Sequence, residues 1–397
     1  MQMAGEGPLE GIRVLDFGRF IAGPYCGMLL ADMGADVIRI DRRAGSEDRY
    51  IASLTPDGHG AHFLSLNRNK RSLTLDPSKP AAFEIVSRLV KSADVVIANL
   101  PAPVLRKMRI DYESLRSVKP DIILAQISTF GPDGPYASRT GFDVVAQAMS
   151  GAMSVTGFPG APIRETVPFE DYGTALHAAF GVMVALYHRA TTGQGQVVDG
   201  SLLATAITFM QPLLAERRVL KRERSQIGNA GFYSAPADAY QATDGWIVVQ
   251  TIGGPMFARW AQLMGREDLI DDPKFADDAT RQCHRDTITS IMNGWIATRS
   301  CAEALAELEQ ARIPAGPVLG LDNVLDDPQV RACKLLRPID FPGAESVPIA
   351  NTPVRLSETP GSIRRRAPLP GEHNDEILRE LGYSADAVQQ LRAAHVV

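Results

Sequence analysis

Short β-branched segments alternate with helical patterns through the first 200 residues of this 397-residue chain. The predicted elements are, in order, a strand at 12–16, a helix at about 25–33, a strand at 36–40, a helix at about 80–91 and strands at 93–98 and 121–126. Strands that alternate with helices form βαβ units, and such units build a mostly parallel sheet with helices on both faces. The pattern therefore predicts a Rossmann-like α/β domain.

The segment after the first predicted strand argues against a nicotinamide cofactor. It reads Gly18-Arg-Phe-Ile-Ala-Gly-Pro24. The GxGxxG motif, whose glycines let a pyrophosphate approach the backbone, is missing from it. An oxidoreductase of the Rossmann type is therefore disfavoured.

The rest of the chain predicts a smaller α+β domain inserted into the large one. Residues 240–251 are typical of a β-hairpin with its turn at 243–245. Helical patterns follow at about 257–264, 286–298 and 301–311. The stretch Phe341-Pro-Gly343 predicts an extended return path. The predicted organisation is a large domain at 1–203, a linker or long exposed helix at 204–226, a small domain at 227–320, a linker at 321–345 and a C-terminal segment at 346–397 that completes the large domain.

Composition narrows the class of protein. The formal net charge of −5 argues against binding to nucleic acid or to a membrane surface. No stretch approaches the roughly 20 apolar residues that cross a bilayer, and residues 1–9 lack the features of a signal peptide. The 4 cysteines lack a zinc-binding spacing, so we expect reduced thiols, no metal site and a small buried side chain at Cys26. These features predict a cytoplasmic protein.

One acidic residue, Asp171, lies directly ahead of a long helical pattern at 173–190. The apolar residues that recur there at helical spacing are Leu176, Phe180, Met183, Val184 and Tyr187. Asp171 is predicted to be either the helix N-cap or a carboxylate at the positive end of the helix dipole, and both settings favour its ionised form. An ionised carboxylate can attack an activated acyl group, so Asp171 is a candidate nucleophile. The alternative is that Asp171 only caps the helix.

Segments spread over nearly the whole chain form an ordered set. They are Pro8-Leu-Glu-Gly-Ile-Arg-Val-Leu-Asp-Phe-Gly18, Ala22-Gly-Pro24, Asp32-Met-Gly-Ala-Asp-Val-Ile-Arg-Ile40, Asn67-Arg-Asn-Lys-Arg-Ser-Leu73, Ala93-Asp-Val-Val-Ile-Ala-Asn99, Ser128-Thr-Phe-Gly-Pro-Asp-Gly-Pro-Tyr136, Gly141-Phe-Asp143, Thr192-Gly-Gln-Gly-Gln-Val-Val-Asp199 and Gly371-Glu-His-Asn-Asp-Glu-Ile-Leu378. Each segment alone is weak, but in this order they resemble the class III CoA-transferase family, which also contains the 2-methylacyl-CoA racemases.

The resemblance implies an acyl-CoA:carboxylate CoA-transferase with Asp171 as the nucleophile. Its carboxylate would attack the donor thioester to give a mixed anhydride, and the released CoA thiolate would convert the anhydride into an aspartyl-CoA thioester. An acceptor carboxylate would reverse these steps and leave carrying CoA. The implied substrates are an acyl-CoA and a small carboxylic acid, without ATP, metal or a tightly bound cofactor. The resemblance also implies an interlocked homodimer.

The resemblance assigns further residues to the site. CoA phosphates need cations or helix N-termini, and the expected contacts are Arg42 or Arg43, Lys70 or Arg71, Asn99, and Arg106 or Lys107, with a solvated surface charge as the alternative for any one of them. The family's glycine-rich loop corresponds to 251–255. Free backbone N–H groups of Gly253 and Gly254 are expected to stabilise oxyanions there, with plain turn glycines as the alternative. The segment Leu100-Pro-Ala-Pro103 departs from the family's Phe-x-Pro-Gly, so the loop beside the adenine is expected to differ.

Two other functions stay open. A racemase needs a histidine in the Gly-His-Asp segment as the acid/base partner of the aspartate, and Phe142 at that position cannot exchange protons, which favours a transferase. His177 is expected to be a packed or surface residue of the helix. A non-catalytic acyl-CoA-binding protein would share the basic residues without needing the carboxylate of Asp171. The resemblance places Ile21 near the CoA thiol, where formyl and oxalyl enzymes of the family tend to have a polar residue; an isoleucine there disfavours those substrates and leaves succinyl-CoA as the trial donor.

Overall fold

The computed structural model describes residues 7–397. The prediction that no signal peptide is present concerns residues 1–9 and falls mostly outside this range. The chain divides into two compact units. The first contains the residues up to Ala152, Arg164–Leu220 and Pro328–Val397, and the second contains Met153–Ile163 and Lys221–Asp327. Within residues 7–397, no helix combines the length and apolar character that a membrane crossing requires.

The strands form one large sheet and two small ones. Their bounds are β1 Arg13–Asp16, β2 Asp36–Asp41, β3 Arg71–Thr74, β4 Val95–Ala98, β5 Ile123–Ser128, β6 Val197–Ser201, β7 Ala237–Gln241, β8 Trp246–Gln250, β9 Ala315–Pro317, β10 Leu336–Phe341 and β11 Ala344–Ala350. The large sheet has the order β3-β2-β1-β4-β5-β6, and all its neighbouring strands are parallel. This is the strand order of the Rossmann fold, so the predicted parallel sheet is confirmed.

Helices connect the strands. Their bounds are α1 Ala22–Asp32, α2 Ala61–Leu66, α3 Pro80–Ser92, α4 Ala102–Met108, α5 Tyr112–Val118, α6 Asp143–Ser150, α7 Ala152–Val155, α8 Phe169–Thr192, α9 Leu202–Leu220, α10 Gly254–Leu263, α11 Asp278–Cys283, α12 Arg285–Ile296, α13 Cys301–Gln310, α14 Leu321–Asp326, α15 Pro328–Ala332, α16 Asn374–Glu380 and α17 Ala385–Ala393. Apolar residues of α3 recur at Ala82, Ile85, Leu89 and the positions beside them, and this buried stripe faces the core of the first unit.

The large sheet separates two apolar cores. Side chains alternate between the faces of a strand, so Leu15 of β1 joins a core with α3, whereas the preceding Val14 joins a core with α1 and α8. Cys26 is fully buried in the second of these cores, as expected for a structural thiol. Burial raises the pKa of the Cys26 thiol to about 12, so it stays protonated and inert.

The second unit is built on an antiparallel sheet of order β7-β8-β9. The hairpin predicted at 240–251 is present as β7 and β8 with its turn where expected, and its first strand begins three residues earlier, at Ala237. Tyr240, Phe257 and Trp260 lie at the centre of its core and are almost fully buried. This unit therefore has an apolar core of its own.

Three local predictions are corrected by the structure. Most of 204–226 is the helix α9, so a linker is wrong there and the long helix is right. The predicted linker at 321–345 contains α14, α15 and β10. Phe341-Pro-Gly343 closes the hairpin between β10 and β11 instead of running extended, because Gly343 adopts a φ of +82° that a tight turn requires.

Candidate active site

Asp171 lies in the first turn of α8, two residues after its first residue, Phe169. Pro168 occupies the N-cap position, so the interpretation of Asp171 as the N-cap is wrong, and the alternative at the positive end of the helix fits. The side chain is half-buried. Among the described residues, none donates a hydrogen bond to its carboxylate, and the groups that act on it are two other carboxyl groups.

The backbone N–H groups at the start of α8 are bound by Asp143, the first residue of α6. Its Oδ1 accepts from Glu170 N at 2.9 Å and from Asp171 N at 3.1 Å. Its Oδ2 accepts from Gln147 Nε2 at 2.6 Å, and Gln147 Oε1 in turn accepts from Glu165 N. A side chain from another helix thus caps α8, and the carboxylate of Asp171 is left without these donors.

The environment of Asp171 disfavours a negative charge. Burial raises the pKa of Asp171 to about 7, and the carboxyl groups of Asp143 and Glu170 add to that increase. The prediction that the helix end would favour ionisation is therefore wrong. The helix dipole is worth about 1 kcal/mol or less, which burial beside two acids outweighs. A carboxylate that is costly to ionise and lacks hydrogen bonds is well suited to forming a covalent bond.

Glu170 is a second buried acid beside Asp171. It is 7% exposed, and within residues 7–397 its Oε2 is buried without a hydrogen-bond partner. Burial and the neighbouring Asp143 raise the pKa of Glu170 to about 7. Neither Glu170 nor Asp143 was predicted to act beside Asp171. The available signals were two consecutive acids at a helix start and an aspartate in the Gly141-Phe-Asp143 motif.

The two residues considered for racemase chemistry lie on the surface. Phe142 is 60% exposed, and its ring meets that of Phe20 edge-on at 5.4 Å. His177 is exposed on α8, and its Nδ1 lies 3.1 Å from Thr205 Oγ1 of α9. An acid/base pair across a substrate carbon needs two proton-exchanging groups, and Phe142 has no group that exchanges protons.

The strand order reverses between β1 and β4, and Asn99 lies there. Its Oδ1 accepts from Arg19 N and its Nδ2 donates to Arg19 O, both at 2.7 Å. Gly18 and Gly23 approach so closely beside this link that a Cβ on Gly18 would lie 2.9 Å from the Gly23 Cα. In open α/β sheets the ligand crevice forms at such a reversal, outside the carboxyl ends of the strands.

Four of the predicted CoA-binding cations are exposed around the carboxyl edge of the sheet. Arg42 and Arg43 follow β2, and the side chain of Arg42 is 69% exposed, 3.8 Å from Glu47. Arg106 and Lys107 are exposed on α4, which follows β4. Exposed guanidinium and ammonium groups in this region are suited to bind phosphates.

Lys70 and Arg71 are instead bound to the protein's own carboxylates. The buried Lys70 ammonium donates to Asp16 Oδ2, Pro24 O and Asn67 Oδ1, which uses all three of its N–H groups. Burial opposes ionisation of Asp16, but Lys70 outweighs it and lowers the pKa of Asp16. The Arg71 guanidinium pairs with carboxylates of Asp36, Glu376 and Glu380. Neither cation has an N–H left for a phosphate, so their predicted contacts with CoA require these pairs to break.

Gly253 and Gly254 lie in the second unit, at the start of α10. Gly253 has a φ of +78°, and its N–H donates to both oxygens of Asp278, at 2.9 and 3.1 Å. The expectation of a free N–H at Gly253 is therefore wrong, because Asp278 at the start of α11 already accepts it. The role of Gly254 stays a prediction. Within residues 7–397, no cluster of His, Cys, Asp and Glu forms a candidate metal site.

A Rossmann-ordered sheet and a half-buried carboxylate at a helix start, without hydrogen-bond donors among residues 7–397, are features of an α/β enzyme with a carboxylate in its active site. The model for CoA-transferase family III matches residues 9–374, and the chain belongs to that family. It is an acyl-CoA:carboxylate CoA-transferase, and the substrates of the family are CoA thioesters and carboxylic acids.

Relatives along the whole chain agree with this assignment. Succinyl-CoA–D-citramalate CoA-transferase of Chloroflexus aurantiacus is 33% identical over 394 residues, 98% of this chain and 98% of the relative. Succinyl-CoA:mesaconate CoA-transferase of Haloarcula hispanica is 35% identical over 386 residues, 95% and 97% of the two chains. The crystal structure of a CaiB/BaiF family protein from Brucella suis superimposes with a TM-score of 0.83 at 33% identity and covers 95% of this chain and 100% of the other.

Proposed function

We propose that the chain transfers CoA between carboxylic acids through a covalent intermediate on Asp171. The observation that carries the proposal is the state of this carboxylate. It lies at the positive end of α8, yet Asp143 has taken the helix N–H groups that would otherwise stabilise it. An anion without hydrogen bonds has little solvation to lose when it attacks a thioester carbonyl.

The proposed reaction has four steps and no net proton transfer. An Asp171 oxygen attacks the donor thioester carbonyl, the C–S bond breaks, and CoA leaves as the thiolate from a mixed anhydride. The thiolate attacks the Asp171 carbonyl and expels the donor carboxylate, which leaves an aspartyl-CoA thioester. The acceptor carboxylate attacks that thioester and expels the thiolate. The thiolate then attacks the acceptor carbonyl, forms the new acyl-CoA and regenerates the Asp171 carboxylate.

The CoA phosphates are proposed to bind Arg42 and Arg43, with Arg106 and Lys107 as the second pair. These four side chains are exposed, and CoA brings a 3′-phosphate and a pyrophosphate that bind such groups. The Asn99 side chain at the strand reversal hydrogen-bonds to the backbone of Arg19. Through this segment, Asn99 is proposed to contact CoA.

Succinyl-CoA is the proposed donor. The two transferase relatives named above both carry succinyl-CoA in their names. Ile21 of this chain is 7% exposed at the start of α1, and an apolar residue there favours an acyl chain over the small polar formyl and oxalyl groups. The acceptor acid is proposed to be another small di- or monocarboxylate.

The test is intact-protein mass spectrometry after incubation with succinyl-CoA, followed by hydroxylamine or borohydride trapping. The expected result is a modification that maps to Asp171 and disappears in Asp171→Ala. Asp199→Ala is the matched control, because this acid also has a pKa raised by burial but lies on β6. A modification that persists in Asp171→Ala, or moves to another residue, would reject the proposal. No modification, with α-proton exchange on a branched acyl-CoA, would favour the racemase.

We also propose that two copies of the chain form the interlocked homodimer that the family resemblance implies. Large apolar side chains line the outer face of α8, with Phe180 70% and Tyr187 76% exposed in the single chain. Apolar surfaces of this kind mark protein interfaces. Sedimentation equilibrium is expected to give the mass of a dimer, and a stable monomer would reject this proposal.

A further inference from the structure

The start of α8 brings three carboxyl groups together, and hydrogen bonds distinguish them. Asp143 accepts three hydrogen bonds, two from the backbone of α8 and one from Gln147. A carboxylate has about four lone-pair sites, so these three donors leave Asp143 able to accept one more hydrogen bond. Asp143 is therefore the member of the cluster whose carboxyl acts as a hydrogen-bond acceptor.

Glu170 has the opposite surroundings. Its carboxyl lies in hydrogen-bonding contact with that of Asp143, and the Gln147 amide also faces it. Its Oε2 is nevertheless buried without a partner in the described part of the chain. Two buried carboxylates in contact cannot both be ionised at low cost, whereas one proton supplies the missing donor. The raised pKa of Glu170, about 7, agrees with a proton on this group.

We propose that Glu170, as the neutral acid, donates a hydrogen bond to Asp143, and that this pair positions the Asp171 nucleophile. Glu170 fixes the Asp143 carboxylate, and Asp143 holds the N–H groups of residues 170 and 171. The inference rests on the proposed function of Asp171. Both acids act through the backbone of α8, so they are positioning residues and do not react with the substrate.

Side chains from α6, α9 and α1 surround the start of α8 beside the pair. Asp143 and Gln147 face it from α6. From α9, the hydroxyl of Thr205 reaches Thr174, and from α1 the ring of Tyr25 meets that of Tyr172 at 4.9 Å. In the described residues, the charges acting on Asp171 are those of Asp143 and Glu170 alone. Protonation of Glu170 is therefore the event that sets the charge beside the nucleophile.

The test compares Glu170→Gln with Glu170→Ala in the full-length enzyme with succinyl-CoA. The amide of Gln supplies an N–H donor that does not titrate, so it replaces the proposed O–H of Glu170. We expect Glu170→Gln to keep kcat at about pH 6, where Glu170 of the wild type is protonated, within about twofold of wild type. Glu170→Ala is expected to lose about 10- to 100-fold in kcat with KM little changed, which is typical of a displaced nucleophile.

The pH profile separates positioning from a general loss of structure. Above its pKa, an ionised Glu170 adds a charge next to Asp171, and Glu170→Gln removes that charge. The rise of kcat with pH is therefore expected to move to lower pH in Glu170→Gln, by up to about one pH unit. Ser384→Ala is the matched control, because it removes the cap of α17 and is expected to leave the profile unchanged.

Three outcomes decide between the two proposals. Equal damage in Glu170→Gln and Glu170→Ala would overturn the pair, because a donor would then be insufficient. Wild-type kcat in Glu170→Ala would overturn it as well. In both cases a hydroxylamine-sensitive adduct on Asp171 in the wild-type protein would leave the proposed function standing. An absence of that adduct in the wild-type protein, with turnover of succinyl-CoA, would reject the covalent route and the pair with it.

Discussion

Replacing Asp171 by Asn is expected to make the protein more stable, by an amount that grows with pH. The ordinary pKa of an aspartate is 3.8, and in the folded chain burial and two neighbouring acids raise the pKa of Asp171 to about 7. Because this pKa is raised on folding, its contribution to stability is full below about pH 4 and is lost as the pH rises through 7. The folded wild-type protein is therefore destabilised at neutral pH by a charge that Asp171→Asn does not carry.

The magnitude follows from the two pKa values. At 1.36 kcal/mol for each pH unit, ionising Asp171 costs the folded state about 2 kcal/mol at pH 5 and about 4 kcal/mol at pH 8. The favourable interaction of the carboxylate with the end of α8 is about 0.3–1 kcal/mol, too small to reverse the sign. For a chain of this size, a gain of about 4 kcal/mol raises Tm by about 5 °C.

The assay is thermal and urea unfolding of wild type and Asp171→Asn at equal protein concentration, at about pH 5 and about pH 8. Asp36→Asn is the control of opposite sign: burial opposes its ionisation, but pairing with Arg71 and Arg13 outweighs burial and lowers the pKa of Asp36. That variant is expected to lose stability. An Asp171→Asn variant that is no more stable than wild type at pH 8, or that gains equally at both pH values, would refute the predicted cost of ionising Asp171.

Three further predictions concern binding, assembly and folding. Replacing Arg42 and Arg43 together by Ala is expected to raise KM for acyl-CoA about tenfold and to leave kcat within about twofold, because the phosphates bind far from the reacting carbonyl. Steady-state kinetics measure both constants, and a fall in kcat alone would contradict binding of the phosphates by these two residues. Phe180→Glu places a charge on the exposed apolar face of α8 and is expected to convert the proposed dimer to monomers in sedimentation, whereas an unchanged dimer mass would contradict that role. Lys70→Met leaves Asp16 buried without its cation and is expected to cost about 3–5 kcal/mol in urea unfolding; a loss below about 1 kcal/mol would contradict a structural role.

The sheet was predictable because its signals are local. The four predicted strands, β1, β2, β4 and β5, are short runs rich in β-branched residues, whereas β3 and β6 are more polar and were not predicted. The boundaries of Val95–Ala98 and Ile123–Ser128 differ from the prediction by about two residues, since the ends of strands depend on pairing with neighbours. Pairing is a long-range property that a local pattern does not contain.

The face that α8 presents to the sheet was not predictable from apolar spacing. The large residues at helical spacing, such as Phe180 and Tyr187, are exposed, while the small Ala175, Ala178 and Val182 pack against the core. Alanines let a helix approach a sheet closely, and close approach leaves the bulky side chains on the outer face. The apolar spacing in a single sequence therefore predicts the helix, but it places the wrong side chains in the core.

The acids around Asp171 were missed for a different reason. Asp143 and Glu170 are 27 residues apart in sequence, and their contact exists only after α6 and α8 have packed. Each acid alone is typical of a helix start, because acidic residues are common in first turns. The chemistry of Asp171 thus depends on a tertiary contact, whereas its position before a helical pattern was visible in the sequence.

Among residues 7–397, buried acids are paired with cations at the edge of the large sheet but not at the start of α8. At the carboxyl edge of the sheet, buried acids are matched by cations: Asp16 pairs with Lys70 and Asp41 pairs with both Arg39 and Arg49. At the start of α8, Asp171 has two acids beside it and, in the described residues, no cation acting on it. Leaving Asp171 without a cation costs several kcal/mol of stability, although other buried acids of this chain do have one. This arrangement therefore does not serve the stability of the fold. Local instability of this kind is expected where a group must react. The free energy of unfolding, measured as a function of pH, therefore tests whether Asp171 is such a group.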